Sequence, residues 1–318
     1  MHAITGRTSR PWTMRIALII LSLASLLEVC HGATFPTPTA RTLMLIAFPD
    51  WNPSPPKGPY APPRSVEREL HVTRSQIHHA FGPGFTTIKP KYKFDISPLL
   101  AASFDDSHAI LLTIESVYPD SMGIRCDYSC PLATGAYFFT AGAHGWRLSK
   151  SVPVVSLNNA SMFPHHARVT KWPGHGLLAS FRLNYSAQGY STDKVYLLDL
   201  KWSKVVPLFH TSIAKNDGAA EPLSFSLNID CDSRGVFSPK FSPPRGASLS
   251  PDLKCYKANG TWTLSGNSII FEFYGAVRST DDSGRLLPVK TWRKKVVLTL
   301  QKNGSLKLIS GTLPNYTF

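Results

Sequence analysis

Acidic side chains are scarce in this chain: 20 Asp and Glu stand against 34 Lys and Arg in 318 residues, and charged residues of both signs make up only 17%. With 43% apolar residues, that excludes a chain kept disordered by charge repulsion and leaves enough apolar surface for a core. Sustained heptads are missing, which excludes a coiled coil. Past the N-terminus no run reaches the ~18 apolar residues of a membrane-spanning helix. Also absent are Gly-x-Ser-x-Gly, Gly-x-x-x-x-Gly-Lys, Gly-x-Gly-x-x-Gly and His-Glu-x-x-His. The common signatures of serine hydrolases, phosphate cradles, dinucleotide folds and zinc peptidases therefore drop out. No nucleic-acid-binding motif is present, and nothing in the pattern calls for a cofactor.

Proline and glycine are plentiful, 26 and 21. They fit many turns rather than long helices.

The first residues read as an export leader. Arg7, Arg10 and Arg15 precede an apolar run from Ile16 to Leu27, and small residues follow at Gly32 and Ala33. The run is too short to span a bilayer comfortably but suits a signal-peptide core, so residues 1–33 are expected to be removed, with an uncleaved anchor as the rival. The mature chain would then carry about +12 of the full +14. Such a charge would attract polyanions such as acidic polysaccharide, lipid head groups or nucleic acid, and a solvated basic surface is the simpler reading; no specific nucleic-acid binding is expected. Its basic residues are spread out, with tight runs only at Lys89–Lys93 and Arg293–Lys295.

Cysteine usage agrees with export. Losing Cys30 leaves Cys126, Cys130, Cys231 and Cys255, an even number that reads as disulfides. Pairing neighbours in sequence gives Cys126–Cys130 and Cys231–Cys255. Zinc is the rival reading, but Cys126-x₃-Cys130 has no second close pair beside it.

Residues 34–66 divide into an extended strand at Leu43–Phe48 and a segment with Pro53, Pro55, Pro56, Pro59, Pro62 and Pro63. Such a segment favours polyproline-like extension. A short helix is expected over 66–80. Residues 67–318 read as a single all-β domain of short strands and turns.

Four segments resemble one another as hairpins. Their turns fall at His144-Gly145, Trp202-Ser203, Asn259-Gly260 and Asn303-Gly304. For the last, a two-residue loop would put Leu300 opposite Lys307. A three-residue loop instead pairs Leu300 with Leu306 and Leu298 with Leu308, keeping apolar residues on one face. The same choice at Ala258–Gly260 pairs Tyr256 with Trp262. Apolar strands at Ala109–Ile114, Gly176–Phe181 and Ile269–Phe273 accompany these hairpins. Repeated meanders predict a β-propeller of about five blades, or alternatively a β-sandwich.

Candidate chemistry is thin. His165, His166 and His175 surround Trp172 in what reads as a loop, and converging imidazoles would bind zinc or copper. A carboxylate pair would support glycoside hydrolysis. Candidates are Asp105, Asp106, Glu115, Asp120, Asp193, Asp199 and Glu272. Glu272 stands out because it interrupts Ile269–Phe273, facing away from Phe271 and Phe273. Trp146, Trp172, Trp202, Trp262 and Trp292 recur near turns and strand ends, where exposed indoles stack on sugars or anchor a protein partner. Sequons begin at Asn159, Asn184, Asn259, Asn303 and Asn315.

Together these features predict an exported, non-catalytic binding or interaction protein of the periplasm, cell surface or extracellular space. Its expected partner is another protein or an acidic glycan. A secreted carbohydrate-active hydrolase is the alternative.

Overall fold

Thirteen antiparallel strands and two short helices carry the described part of the chain. The computed structural model describes residues 37–53, 65–81, 91–117, 130–160, 164–173, 175–187, 190–217, 237–238, 240, 242, 254–301 and 305–312. The leader, most of the Pro-rich segment, Cys126, Cys231, Asp120 and the Asn303-Gly304 loop lie outside them.

The first element corrects a reading from the sequence. Leu43–Phe48 is not a strand; Ala40–Ala47 is a helix, α1. Thr39 caps it, its hydroxyl accepting from the Thr42 N–H at 3.1 Å. Leu43 and Met44 are fully buried and Phe48 nearly so, a helical rather than an alternating spacing. The predicted helix over 66–80 is present only in its second half. Val66–His71 forms strand β1, with Val66 and Leu70 buried. Arg74–Phe81 forms α2. Thr73 and Gln76 make a reciprocal capping box there: Gln76 N–H donates to Thr73 Oγ1 at 3.3 Å and Thr73 N–H donates to Gln76 Oε1 at 2.9 Å.

The remaining strands are β2 (Lys91–Ser103), β3 (His108–Val117), β4 (Cys130–Gly142), β5 (Gly145–Ala160), β6 (His165–Trp172), β7 (Gly176–Ala187), β8 (Tyr190–Lys201), β9 (Lys204–Asp217), β10 (Lys254–Ser265), β11 (Ser268–Ser279), β12 (Lys290–Leu300) and β13 (Leu306–Ser310). They form two sheets in sequence order, β1 to β5 and β6 to β13. The protein is therefore all-β, as its turn-rich composition predicts. Its meanders run on into sheets of five and eight strands rather than breaking into the repeated small blades of a propeller.

Three apolar clusters hold the layers together. One face of the five-stranded sheet is covered by the helices, where Leu43, Met44 and Ile77 meet Phe94, Leu111 and Phe139. Its other face packs on the eight-stranded sheet, joining Ile110, Leu112 and Phe138 to Leu177, Phe181 and Leu198. The third cluster lies within the eight-stranded sheet. It brings Trp172, Leu178 and Leu197 of β6–β8 against Trp262, Phe271 and Val296 of β10–β12. A single sheet can do this only by curling until its two halves face each other. Trp172 fastens the curl, its indole N–H donating to Gly266 O at 3.0 Å. Each fully buried large apolar side chain contributes roughly 1.5–3 kcal/mol.

Two hairpins form where the sequence reading put them, the first turning one residue earlier than read. Ala143-His144 joins β4 to β5, and Lys201 pairs with Lys204 across Trp202-Ser203. The last pairing also agrees, with Leu300 opposite Leu306 and Leu298 opposite Leu308. Asn259-Gly260, however, is no turn. It lies inside β10, where Asn259 faces Tyr274 and Gly260 faces Phe273 across the ladder. The reversal comes at Gly266-Asn267, with Gly266 at φ +55°. This longer hairpin pairs Trp262 with Phe271 and Leu264 with Ile269, so Trp262 does not oppose Tyr256. Burying that apolar ladder outweighs the local turn preference of Asn-Gly.

Candidate basic-aromatic binding surface

Alternation along the curled sheet decides which side chains meet. On β7, Leu177, Ala179, Phe181 and Leu183 face the first sheet, so Ser180 and Arg182 face into the curl. Arg168 of β6 pairs directly with Ser180, which makes Arg182 its diagonal neighbour on the same face. A register shift between His165 and Arg168 marks a bulge, and there His166 takes a left-handed φ of 52°. The bulge brings His166 into the same groove as Arg168 and Arg182. Across the curl, Trp262 of β10 is only 8% exposed and lies beneath Arg168, whose guanidinium carbon is 4.4 Å from the ring centroid. This cation–π contact holds the guanidinium in place. The groove encloses about 480 Å³, and among the described residues no carboxylate lines it.

Thr261, beside Trp262, lines that groove and also a second one of about 490 Å³ on the other side of β10. The second is bordered by Glu272, Tyr274, Arg293, Lys294 and Lys295. A third, about 680 Å³, shares Tyr274 and Arg293 with the second and extends over Ala276 and Thr291. The second and third grooves adjoin at Tyr274 and Arg293, whereas the first opens into the curl and shares only Thr261 with the second; among the described residues cations line all three and Glu272 is the one carboxylate.

Glu272 is exposed and lies opposite Lys295 on β12 and Thr261 on β10. Among the described residues no second acid lines its groove. Asp199 is buried and paired with Lys201 at 3.0 Å. Asp105 sits in the β2–β3 turn, where His108 Nδ1, at 2.8 Å from Oδ2, and the Ser107 backbone N–H hold its carboxyl down at about 2. Ser107 and Asp105 both approach the same ring nitrogen of His108, so the three do not form a nucleophile–base–acid relay. The Asp193 side chain is outside the described residues.

Glu115 is the unusual acid. It is fully buried, and burial pushes its carboxyl up to about 8. The hydroxyls of Thr113 and Tyr137 both donate to Oε1, at 3.0 and 3.3 Å, while Oε2 has no partner among the described residues. That arrangement suits a neutral acid, with Oε1 as its carbonyl oxygen and Oε2 carrying the proton. Nothing in the sequence around Glu115 announced this, since its burial depends on the helices that cover the sheet.

The other residues singled out from the sequence are scattered. His175 sits in the turn after β6, its ring centroid 5.2 Å from that of Trp172. His166 stands at the opposite end of β6, and that segment is an edge strand rather than the loop the sequence suggested. The side chain of His165 lies outside the described residues, and no group of three metal-ligating side chains is found among those described. Trp146 packs partly buried against the helical layer, and Trp172 is 1% exposed. Trp202 clasps the two sheets, its ring 4.2 Å from His108 and 5.9 Å from Phe138 by centroids. Trp292 packs partly buried against the curl's interior. Of the tryptophans named for binding, Trp262 lines the first groove and Trp292 the third. Arg168 and Arg182 were missed because their meeting with Trp262 depends on the curl, and Tyr274 because its neighbours Asn259 and Arg293 are set by strand pairing. Cys255 is buried and disulfide-bonded, and the side chains of Cys126, Cys130 and Cys231 lie outside what is described.

Compared with family models, with curated proteins and with solved structures, the chain matches none. No helix among the described residues is long and apolar enough to cross a membrane.

Proposed function

We propose that this is an exported, non-catalytic binding protein that takes an acidic glycan along its three basic-aromatic grooves. The carrying observation is that each groove sets cations beside an aromatic ring: Arg168 and Arg182 with Trp262 in the first, and Arg293 with Tyr274 in the second and third. Cations outnumber acids along that path, and guanidinium forks suit carboxylate and sulfate groups. A mature charge near +12 would speed encounter with a polyanion.

Export rests on the leader at residues 1–33 and gains support from the bonded state of Cys255, which suits an oxidising compartment. We assign its partner as Cys231, leaving Cys126 to pair with Cys130.

The test is calorimetric titration with polygalacturonate, dextran sulfate and neutral dextran. The wild type is expected to bind both acidic polymers, more weakly as salt rises, and to ignore neutral dextran. An Arg168→Gln, Arg182→Gln double variant is expected to lose about ten-fold in affinity. Equal binding to neutral dextran, or no loss in the double variant, overturns the proposal. Release of reducing ends by the wild type, abolished in Glu272→Gln, would overturn its non-catalytic part.

A further inference from the structure

Tyr274 is 48% exposed, one of the largest exposed apolar surfaces among the described residues. Its neighbours on β11 point the other way, Phe273 being buried in the curl. The register places Asn259 directly opposite Tyr274 on β10 and Arg293 directly opposite on β12. One aromatic ring is thus flanked by an amide and a guanidinium at cross-strand spacing, about 5 Å on each side. Toward β12 the next row along the same face is low, Ala276 facing Thr291, while on β10 Ala276 faces Lys257, whose side chain lies outside the described residues. That step beside the ring is the third groove, about 680 Å³.

We infer that this step is a subsite for one uronic-acid unit of the glycan chain. It rests on the reading of the basic-aromatic grooves as a glycan path and names the sugar recognised at one point. The ring supplies an apolar platform for the C–H face of a pyranose while its hydroxyl stays in water. Arg293 presents a fork that matches the planar carboxylate of the sugar. Asn259 offers both a donor and an acceptor to ring hydroxyls. Ala276 and Thr291 are small enough to leave the sugar's footprint open. A linear acidic peptide would use Arg293 but would draw nothing from the pairing of Tyr274 with Asn259.

Three probes separate the subsite from the path: a short oligogalacturonate, the same oligomer with its carboxyls reduced to alcohols, and polyglutamate of matching charge. Calorimetry on the full chain is expected to show that Tyr274→Ala weakens oligogalacturonate by about ten-fold and leaves polyglutamate within about two-fold. Tyr274→Phe keeps the platform and should retain wild-type affinity for the oligomer. Arg293→Gln should weaken the acidic oligomer and leave the reduced one unchanged. Equal losses for oligogalacturonate and polyglutamate in Tyr274→Ala, or no loss for either, overturn the subsite while the path stands. A wild type that binds neither acidic probe overturns both. Because Tyr274 is half-exposed, its substitution leaves the core intact, which an unchanged thermal midpoint would verify.

Discussion

Gly135 on β4 lies against the carboxyl of Glu115 on β3, close enough that the acid occupies the space a side chain at Gly135 would need. A Cβ there would also come within 2.5 Å of Thr113 Oγ1 and 2.9 Å of the Pro153 carbonyl oxygen. Gly135→Ala is therefore expected to destabilise the fold by about 1–3 kcal/mol, the usual range for overpacking. Chemical denaturation would measure it. Pairing it with Glu115→Gln should bring no relief, because the clash with the Pro153 backbone remains.

The buried acid sets a pH dependence. Folding raises the Glu115 carboxyl from an ordinary 4.5 to about 8. Between those values the folded chain holds a proton that the unfolded chain releases, so stability falls as pH rises from about 4.5 through about 8. The loss is on the order of a few kcal/mol. Glu115→Gln mimics the protonated acid and should flatten this slope, with its advantage over wild type greatest at pH 8. Denaturant midpoints of both proteins at pH 5 and pH 8 decide the matter; parallel slopes would contradict it.

Asp105 behaves with the opposite sign. Its carboxyl is held at about 2, below an ordinary 3.8. The contact with His108 therefore adds stability that is complete above about pH 4 and disappears as pH falls through about 2. Asp105→Asn should remove that acid-limb contribution and leave neutral-pH glycan binding unchanged, as followed by circular dichroism and titration.

Trp172 closes the curl. Trp172→Phe keeps most of the ring volume but leaves Gly266 O without its donor, and is expected to cost about 1–3 kcal/mol. Since Arg168 and Trp262 face each other across the same curl, glycan affinity should fall with it. Unchanged affinity would show that the groove does not depend on this closure.

Trp202 reaches Phe104, His108 and Phe138 from the β8–β9 turn. At 38% exposure it is expected to be worth about 2 kcal/mol, less than the roughly 3–5 of a buried tryptophan. Trp202→Ala should lower the thermal midpoint and spare glycan binding, which separates an inter-sheet clasp from a sugar platform.

Composition and turn chemistry settle the all-β class, because abundant Gly and Pro punctuate short alternating apolar runs. Period-2 pairing settles the β12–β13 register, where only one loop length keeps Leu298, Leu300, Leu306 and Leu308 on one face. The same reasoning fails at Asn259-Gly260, since a strong local turn signal yields to the Trp262–Phe271 ladder it would have broken. It fails at Leu43–Phe48 as well, because six apolar residues suit a buried strand or a helix, and the Thr39 cap and the sheet beneath decide. Tertiary structure alone brings Arg168, Arg182 and Trp262 together, from strands nearly a hundred residues apart, by curling one sheet on itself. It alone makes Glu115 a neutral acid, for a carboxyl's charge depends on the water left around it, and that is fixed only when the helices close over β3.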